Sequence, residues 1–380
     1  MKKSVLHTEF CDMFGIKYPI VAAGMGFVSG PALTAAVSNA GGLGVLGAAS
    51  LTPDELREMI KRTKDLTDKP FGVDVPMPPQ LEEIDSNSTE ESLRAGFPPE
   101  AVAFANKFGE ELGVPKVRGK AGLQVFSIDF TRECFKISLE EHIPVFVSAV
   151  GNPSWAVPEA HAHGMKMMAC VGLVRQARRL ANAGVDVIIA QGTEAGGHTG
   201  RIGTMALVPQ VVDAISPTRV LAAGGIADGR GVAAGLALGA IGAWLGTAFV
   251  TTEESCLECI ELGYMSQWEV DLWKRKILGA TEDDTIISRV LTGKTLRMIK
   301  NKFQETWEKQ GGPVLKTPKQ NVLVADLLEG IRHAKLEDYT LPVGGQISGM
   351  IKKIKPAAEI VHEIVEEATH VLETLGNGKR

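Results

Sequence analysis

The feature that most limits what this chain can fold into is a series of eight short apolar runs separated by longer, mostly amphipathic stretches. The runs cover residues 19–23, 43–46, 71–75, 144–150, 165–171, 185–190, 219–223 and 242–245. Most are near-continuous in apolar residues and do not alternate with polar ones. Strands of that kind are covered on both faces, as in a parallel sheet lined by helices. The stretches between them carry helix signals. Ser29-Gly30-Pro31 puts proline at the first turn of a helix over 32–40. Thr52-Pro53-Asp54-Glu55 has the spacing of a capping box ahead of 56–64. Gly41-Gly42 and Gly184 stand where helices close on a left-handed residue. Eight such units predict an α/β fold, a (β/α)8 TIM barrel, and 380 residues suffice for one barrel with insertions.

Two regions break the rhythm. Residues 78–120 open with Pro78-Pro79-Gln80 and carry Glu82, Glu83, Asp85, Glu90 and Glu91, which reads as an acidic, helical insertion after the third strand. Residues 251–340 hold Trp268, Trp273 and Trp307 and read as helical, and an amphipathic helix follows over 357–375. The expected organisation is a barrel from 1–77 and 121–250, the insertion 78–120, and a lid or second small domain with a C-terminal helix in 251–380. The insertion suits a lid and a homodimer contact equally well.

The net charge of −5 leaves no basic stripe for gripping phosphates of a polynucleotide, so no nucleic-acid partner is expected. Residues 231–250 form a 20-residue run without charge, but five glycines divide it into a small-residue helix and a buried strand, so no membrane span is expected either. Met1-Lys2-Lys3 is followed by Glu9 and Asp12 with no apolar run between, which is not a secretory signal. Cys11, Cys134, Cys170, Cys256 and Cys259 are scattered and odd in number, as suits a cytoplasmic protein. Cys256 and Cys259 form an isolated C-x-x-C that reads as one helical turn. His161 and His163 stand two apart and cannot share a helical face, so no metal site is expected. His7 and His142 read as solvent-facing.

The chemistry-bearing segment is Ala190-Gln191-Gly192-Thr193-Glu194-Ala195-Gly196-Gly197-His198, directly after a buried strand. Its glycines let backbone approach a ligand closely, and its histidine can exchange protons near neutrality. Glu194 is read as the carboxylate that holds this turn together. Strands seven and eight end in Ala223-Gly224-Gly225 and Trp244-Leu245-Gly246-Thr247, turns of the kind that present backbone N–H groups to a phosphate at the reactive face of such barrels. Gly24-Met25-Gly26 superficially imitates a dinucleotide fingerprint. Its third glycine falls at Gly30, one residue late, and no acidic residue follows about 20 positions on.

Ala22-Ala23-Gly24-Met25, the run from Gln191 to His198, the run from Ala223 to Arg230 and Gly246-Thr247 together resemble the nitronate monooxygenase (2-nitropropane dioxygenase) family. The likeness spans about residues 10–250 and resumes at Pro342-Val343-Gly344-Gly345-Gln346. The wider superfamily includes flavin-dependent enoyl-acyl-carrier-protein reductases and NADH:quinone reductases. The resemblance implies one non-covalent FMN, its phosphate on Gly224, Gly225, Gly246 and Thr247 and its ring near Gly24, Met25, Gln191 and Gly196. Ala23, Asp74, Gly197, Trp244 and Leu245 complete the implied cofactor set, and His198 is the implied catalytic residue. The implied reaction is oxidation of an alkyl nitronate by molecular oxygen to a carbonyl compound and nitrite. The alternative is reduction or other redox chemistry of enoyl or other acyl-CoA thioesters with NAD(P)H. The chain departs from the family at Asp74, where many members carry asparagine and a carboxylate would set a negative charge beside the cofactor. It departs again at Trp244, where many carry a smaller or amide side chain. The segments 78–120 and 251–340 are also longer than in compact members, which suits a larger substrate.

Overall fold

Residues 4–49, 51–77, 89–121 and 127–378 are described by the computed structural model. Strands β1 (Ile20–Ala22), β2 (Gly44–Gly47), β3 (Phe71–Asp74), β4 (Val145–Ser148), β5 (Lys166–Val171) and β6 (Val187–Gln191) belong to one parallel sheet. A two-residue strand, β7 (Gly197–His198), lies outside it, and β8 (Arg219–Ala223) and β9 (Ala243–Leu245) complete it. The strand order is β1-β9-β8-β6-β5-β4-β3-β2, and a parallel bridge between Val21 and Leu43 joins the two ends. The fold is the expected TIM barrel, and each of the eight apolar runs contributes one strand.

The near-continuous apolarity of the runs has a direct cause: successive side chains enter two different cores. Val187 and Ile189 point into the barrel while Ile188 and Ala190 face the helical layer, and Leu221 and Ala223 alternate with Val220 and Ala222 in the same way. The first helix, Glu9–Phe14, packs Phe10, Cys11 and Phe14 into the interior cluster, with the two phenyl rings 4.6 Å apart. Thr8 at its start binds the Ile241 carbonyl at the strand N-terminal end, so the open end of the barrel is the opposite one.

Local signals set the helix starts. Thr52 and Glu55 form the reciprocal capping box ahead of the helix Pro53–Leu66. The helix Pro31–Asn39 begins with proline at its first position, and the Glu258 carboxylate accepts its Ala32 N–H at 2.9 Å. The uncharged run 231–250 divides into the rest of the helix Gly229–Ala237 and β9; among the described residues no helix is long and apolar enough to cross a membrane. The final helix, Ala357–Gly376, lays Val361, Ile364 and Ala368 against the barrel layer.

Of the segment after β3, residues 78–88 lie outside the described residues, including the predicted acidic positions 82, 83 and 85. The remainder forms helices Glu90–Ala95 and Pro99–Leu112. The latter packs on the helix Lys319–His333, and Phe108, Phe303, Trp307, Val324 and Leu327 share one apolar core. Phe303 and Trp307 stack with centroids 5.4 Å apart. Insertion and late segment therefore build one outer body. Reading 251–340 as helical throughout needs correction, because β10 (Thr285–Ser288) and β11 (Leu296–Ile299) form an antiparallel hairpin. The hairpin escapes a periodicity reading because both strands are only four residues long and one of them is buried on both faces.

Truncating Ile364 to alanine should lower stability by about 2–5 kcal/mol, since it removes buried methylenes from the seam between the last helix and the barrel. The exposed Glu366→Ala should stay within about 0.5 kcal/mol of wild type. Denaturant titrations of both variants give the comparison, and equal midpoints would mean that this helix is not part of the cooperative fold.

Candidate active site

At the C-terminal ends of the strands lies a cavity of about 340 Å³. His198 and every residue expected to bind the cofactor line it: Ala23, Gly24, Met25, Asp74, Gln191, Gly196, Gly197, Gly224, Gly225, Trp244, Leu245, Gly246 and Thr247. Eight parallel strands bring these residues together from distant parts of the sequence, since each barrel strand ends at the same rim. Gly224 and Gly225 both have positive φ, 88° and 73°, so the turn after β8 has a backbone that a side-chain-bearing residue adopts only with strain. Gly24 is held to glycine by packing, because a Cβ there would lie 2.3 Å from the Asp74 Cβ.

The loop carrying His198 is tied down at several points. Glu194 accepts the N–H of Thr204 at 3.0 Å and its hydroxyl at 2.9 Å, the holding role expected of it. The buried Arg297 donates to the Thr193 carbonyl at 3.0 Å. β7 pairs antiparallel with β11, placing His198 opposite Leu296 and Gly197 opposite Arg297. The Gln191 amide donates to the His198 carbonyl at 2.7 Å, and the Cys170 thiol lies 3.6 Å from the other end of that amide. The imidazole itself meets the Thr292 hydroxyl, Nε2 to Oγ1, at 3.0 Å.

Sequence reasoning did not find Thr292. It sits between the hairpin strands, and nothing in the local pattern marks it. A second group it left without a role closes the cavity from above. The Gly345 N–H donates to Thr247 Oγ1 at 3.0 Å, the Gln346 N–H donates to the Glu194 carbonyl at 2.9 Å, and Val343, Gly345 and Ile347 line the cavity. The Pro342–Gln346 likeness was the signal for this strap. The Trp273 indole, which also lines the cavity, holds the strap by donating to the Val343 carbonyl at 2.7 Å.

Burial sets the protonation of both titratable groups. It pushes the His198 imidazole down to about 4, with the Lys294 charge adding to the effect, so the ring is neutral at pH 7. It pushes the Asp74 carboxyl up to about 8 against a single opposing hydrogen bond, from the Ala149 N–H to Oδ1 at 3.0 Å. The negative charge expected at Asp74 is thus absent near neutrality, because one donor does not offset the loss of water. Its Oδ2 is buried with no hydrogen-bond partner among the described residues. A neutral carboxylic acid there has a proton to donate into the cavity.

The other candidates lie elsewhere. His161 pairs with Asp186 at 2.9 Å, and His163 Nδ1 contacts its own helix at the Glu159 carbonyl. His142 is exposed, and the partly covered His7 bonds Asp12 at 2.8 Å. Cys256 and Cys259 are buried free thiols at the start of the short helix Leu257–Glu261, and burial raises both toward the inert thiol form.

A parallel barrel with a glycine-lined rim and a half-buried histidine above it is the ground plan of a cofactor-using barrel enzyme. The sequence profile of the nitronate monooxygenase family matches residues 7–367. A Mycobacterium tuberculosis protein carrying a monooxygenase name is 36% identical over 378 residues, covering 95% of this chain and 96% of its own. A "probable nitronate monooxygenase" of Staphylococcus saprophyticus is 32% identical, covering 97% of this chain and 99% of its own. Among solved structures, nitroalkane oxidase from Streptomyces ansochromogenes superposes with a TM-score of 0.77 at 30% identity, covering 96% of this chain and 99% of that one. FabK from Thermotoga maritima does so with 0.73 at 30%, covering 98% and 99%. The chain belongs to the nitronate monooxygenase family of flavin oxidoreductases.

The raised Asp74 carboxyl has a measurable consequence. The folded protein holds a proton there that the unfolded chain, at about 3.8, releases. Its stabilising contribution is complete below about pH 3.8 and lost as pH rises through about 8. Across that window stability should fall by up to about 1.4 kcal/mol per pH unit. Asp74→Asn should flatten this part of the pH–stability curve in denaturant titrations, and an unchanged slope would show that the carboxyl is ionised when folded.

Proposed function

We propose that the protein is an FMN-dependent enzyme that oxidises alkyl nitronates with molecular oxygen, giving a carbonyl compound and nitrite. The observation that carries this reading is the neutral, half-buried imidazole of His198, fixed at Nε2 by Thr292 over a glycine-lined cavity. The residues present suit the cofactor. The positive-φ turn Gly224-Gly225 and the Gly246-Thr247 pair would hold its phosphate, with Gly24, Met25, Gln191 and Gly196 beside its ring. The unpartnered, protonated Oδ2 of Asp74 supplies a donor for an acceptor atom of that ring. When bound, FMN supplies the two-electron redox chemistry that no side chain here provides.

The chain's own residues do the rest. His198 is unprotonated at neutral pH, so it can take a proton from the acidic carbon of a nitro compound as a general base. Once protonated, it can hold the resulting anion. Thr292 is a positioning residue that fixes the ring. The strap over Thr247 and Glu194 limits the entry of water.

The likeness to FabK favours a second reading, a reductase or related oxidoreductase of acyl thioesters that draws electrons from NAD(P)H. Anaerobic mixing with NADH or NADPH separates the two: rapid bleaching of the flavin supports the reductase, and a stable yellow colour supports direct oxidation. For the favoured reading, His198→Ala should lower kcat/KM toward nitroethane, whose acidic carbon must lose a proton to give the nitronate, by roughly 10²–10⁴-fold with FMN still bound. Thr292→Val should lower it by less. Wild-type kcat/KM should show no inflection near 6.5, the ordinary imidazole value. Wild-type turnover by His198→Ala would remove this residue from the mechanism.

A further inference from the structure

Behind the His198 cavity lies a second space of about 290 Å³ that the reaction described above does not use. Its walls come from the outer body and include Leu272, Leu291, Leu328, Ile331 and Leu341. Phe27, Trp273 and Val343 line both spaces, so the partition between them is one layer of side chains. Phe27 is the unusual member of that partition. It is a non-glycine residue in the left-handed region, with φ 65°, and its side chain remains 43% exposed. Its ring meets the edge of Tyr264 at 5.9 Å, and the Tyr264 hydroxyl is anchored on Glu55 at 2.7 Å. The charged groups of the chamber satisfy each other: Arg332 lies 3.5 Å from Glu269 and also pairs with Glu329. The chamber therefore presents neither a free cation for an anionic head nor many partners for water, and its lining suits hydrocarbon.

We propose that this chamber binds the unbranched alkyl chain of the substrate, which enters from the His198 cavity past Phe27. The protein then acts on molecules whose reacting head carries several methylenes, and a compact branched nitronate would leave the chamber unfilled. The proposal rests on reading the His198 cavity as the reaction site, and it adds the class of substrate that this site accepts. The chamber walls come largely from residues 251–340.

Anaerobic calorimetry of the flavin-loaded enzyme with the series nitroethane, 1-nitrobutane, 1-nitrohexane and 1-nitrooctane tests this. Kd should fall by about fourfold per added methylene until the chamber is full. Leu328→Trp and Leu291→Phe, both at partly exposed positions, should flatten the series while leaving nitroethane binding unchanged. A flat series in wild type, or a steep series untouched by both variants, would overturn the proposal. Oxygen uptake with the matching nitronates keeps the two readings apart. Turnover at every length with flat binding removes the chamber and keeps the function. Steep, variant-sensitive binding with no turnover at any length removes the function and keeps the chamber.

Discussion

The antiparallel pairing of Gly197–His198 with Leu296–Arg297 is the interaction on which the rest of the site depends. A loop at the end of a barrel strand has few backbone partners of its own and is mobile unless another element supplies them. Here the partner is a hairpin strand about a hundred residues later in the chain. The same strand brings Arg297 to the Thr193 carbonyl, and Thr295 exchanges hydrogen bonds with Thr199. Thr292 sits just before that strand and reaches the imidazole. One piece of backbone pairing thus fixes where the ring lies and what its Nε2 touches. The barrel supplies the position of the site, and the outer body supplies its orientation.

That enclosure also decides the electrostatics. His198 and Asp74 are displaced in opposite directions, one downward and one upward, and both displacements favour the uncharged form. The common cause is loss of water without a compensating opposite charge. Asp74 has one backbone donor where a buried carboxylate needs several, and the ammonium group that influences His198 disfavours imidazolium. Two uncharged groups at the mouth suit a reaction in which charge develops on the substrate, because the protein's dipoles then act on that charge in a medium that screens weakly.

How much of this could be read from the residues follows from the range of each interaction. The eight strands were legible because burial on both faces leaves a local mark, an apolar run in the sequence. Helix starts at Pro31 and Thr52 were legible because capping chemistry is complete within four residues. The His198 turn and the two glycine turns were legible because close backbone approach demands glycine at the turn itself. The β10–β11 hairpin was not, since its strands are short and β11 is buried on both faces, leaving no alternation. Thr292 was not, because a single threonine gains its meaning from a ring 94 positions away. The protonation of Asp74 was misread for a related reason. A carboxylate in a sequence carries its charge by default, and only the count of donors around it, one N–H in the fold, removes that charge.

The two layers of the molecule are under different constraints. The barrel floor is made of glycine turns and strand ends whose geometry leaves little freedom: a Cβ on Gly24 would strike Asp74, and one on Gly224 would approach the Gly192 carbonyl to 2.9 Å. The outer body is held by a separate apolar core around Trp307 and touches the floor mainly through β11, the strap and Trp273. The side chains facing the space between those contacts belong to the outer layer: Ile331 is a member of its core, and Leu291, Leu328 and Leu341 pack against it. Function is grafted on a fold by its site, so barrels with one floor can carry different covering segments and different chemistry. Here the covering segments have an apolar core of their own, so a change among them falls on the layer that walls the outer chamber and leaves the strand ends in place.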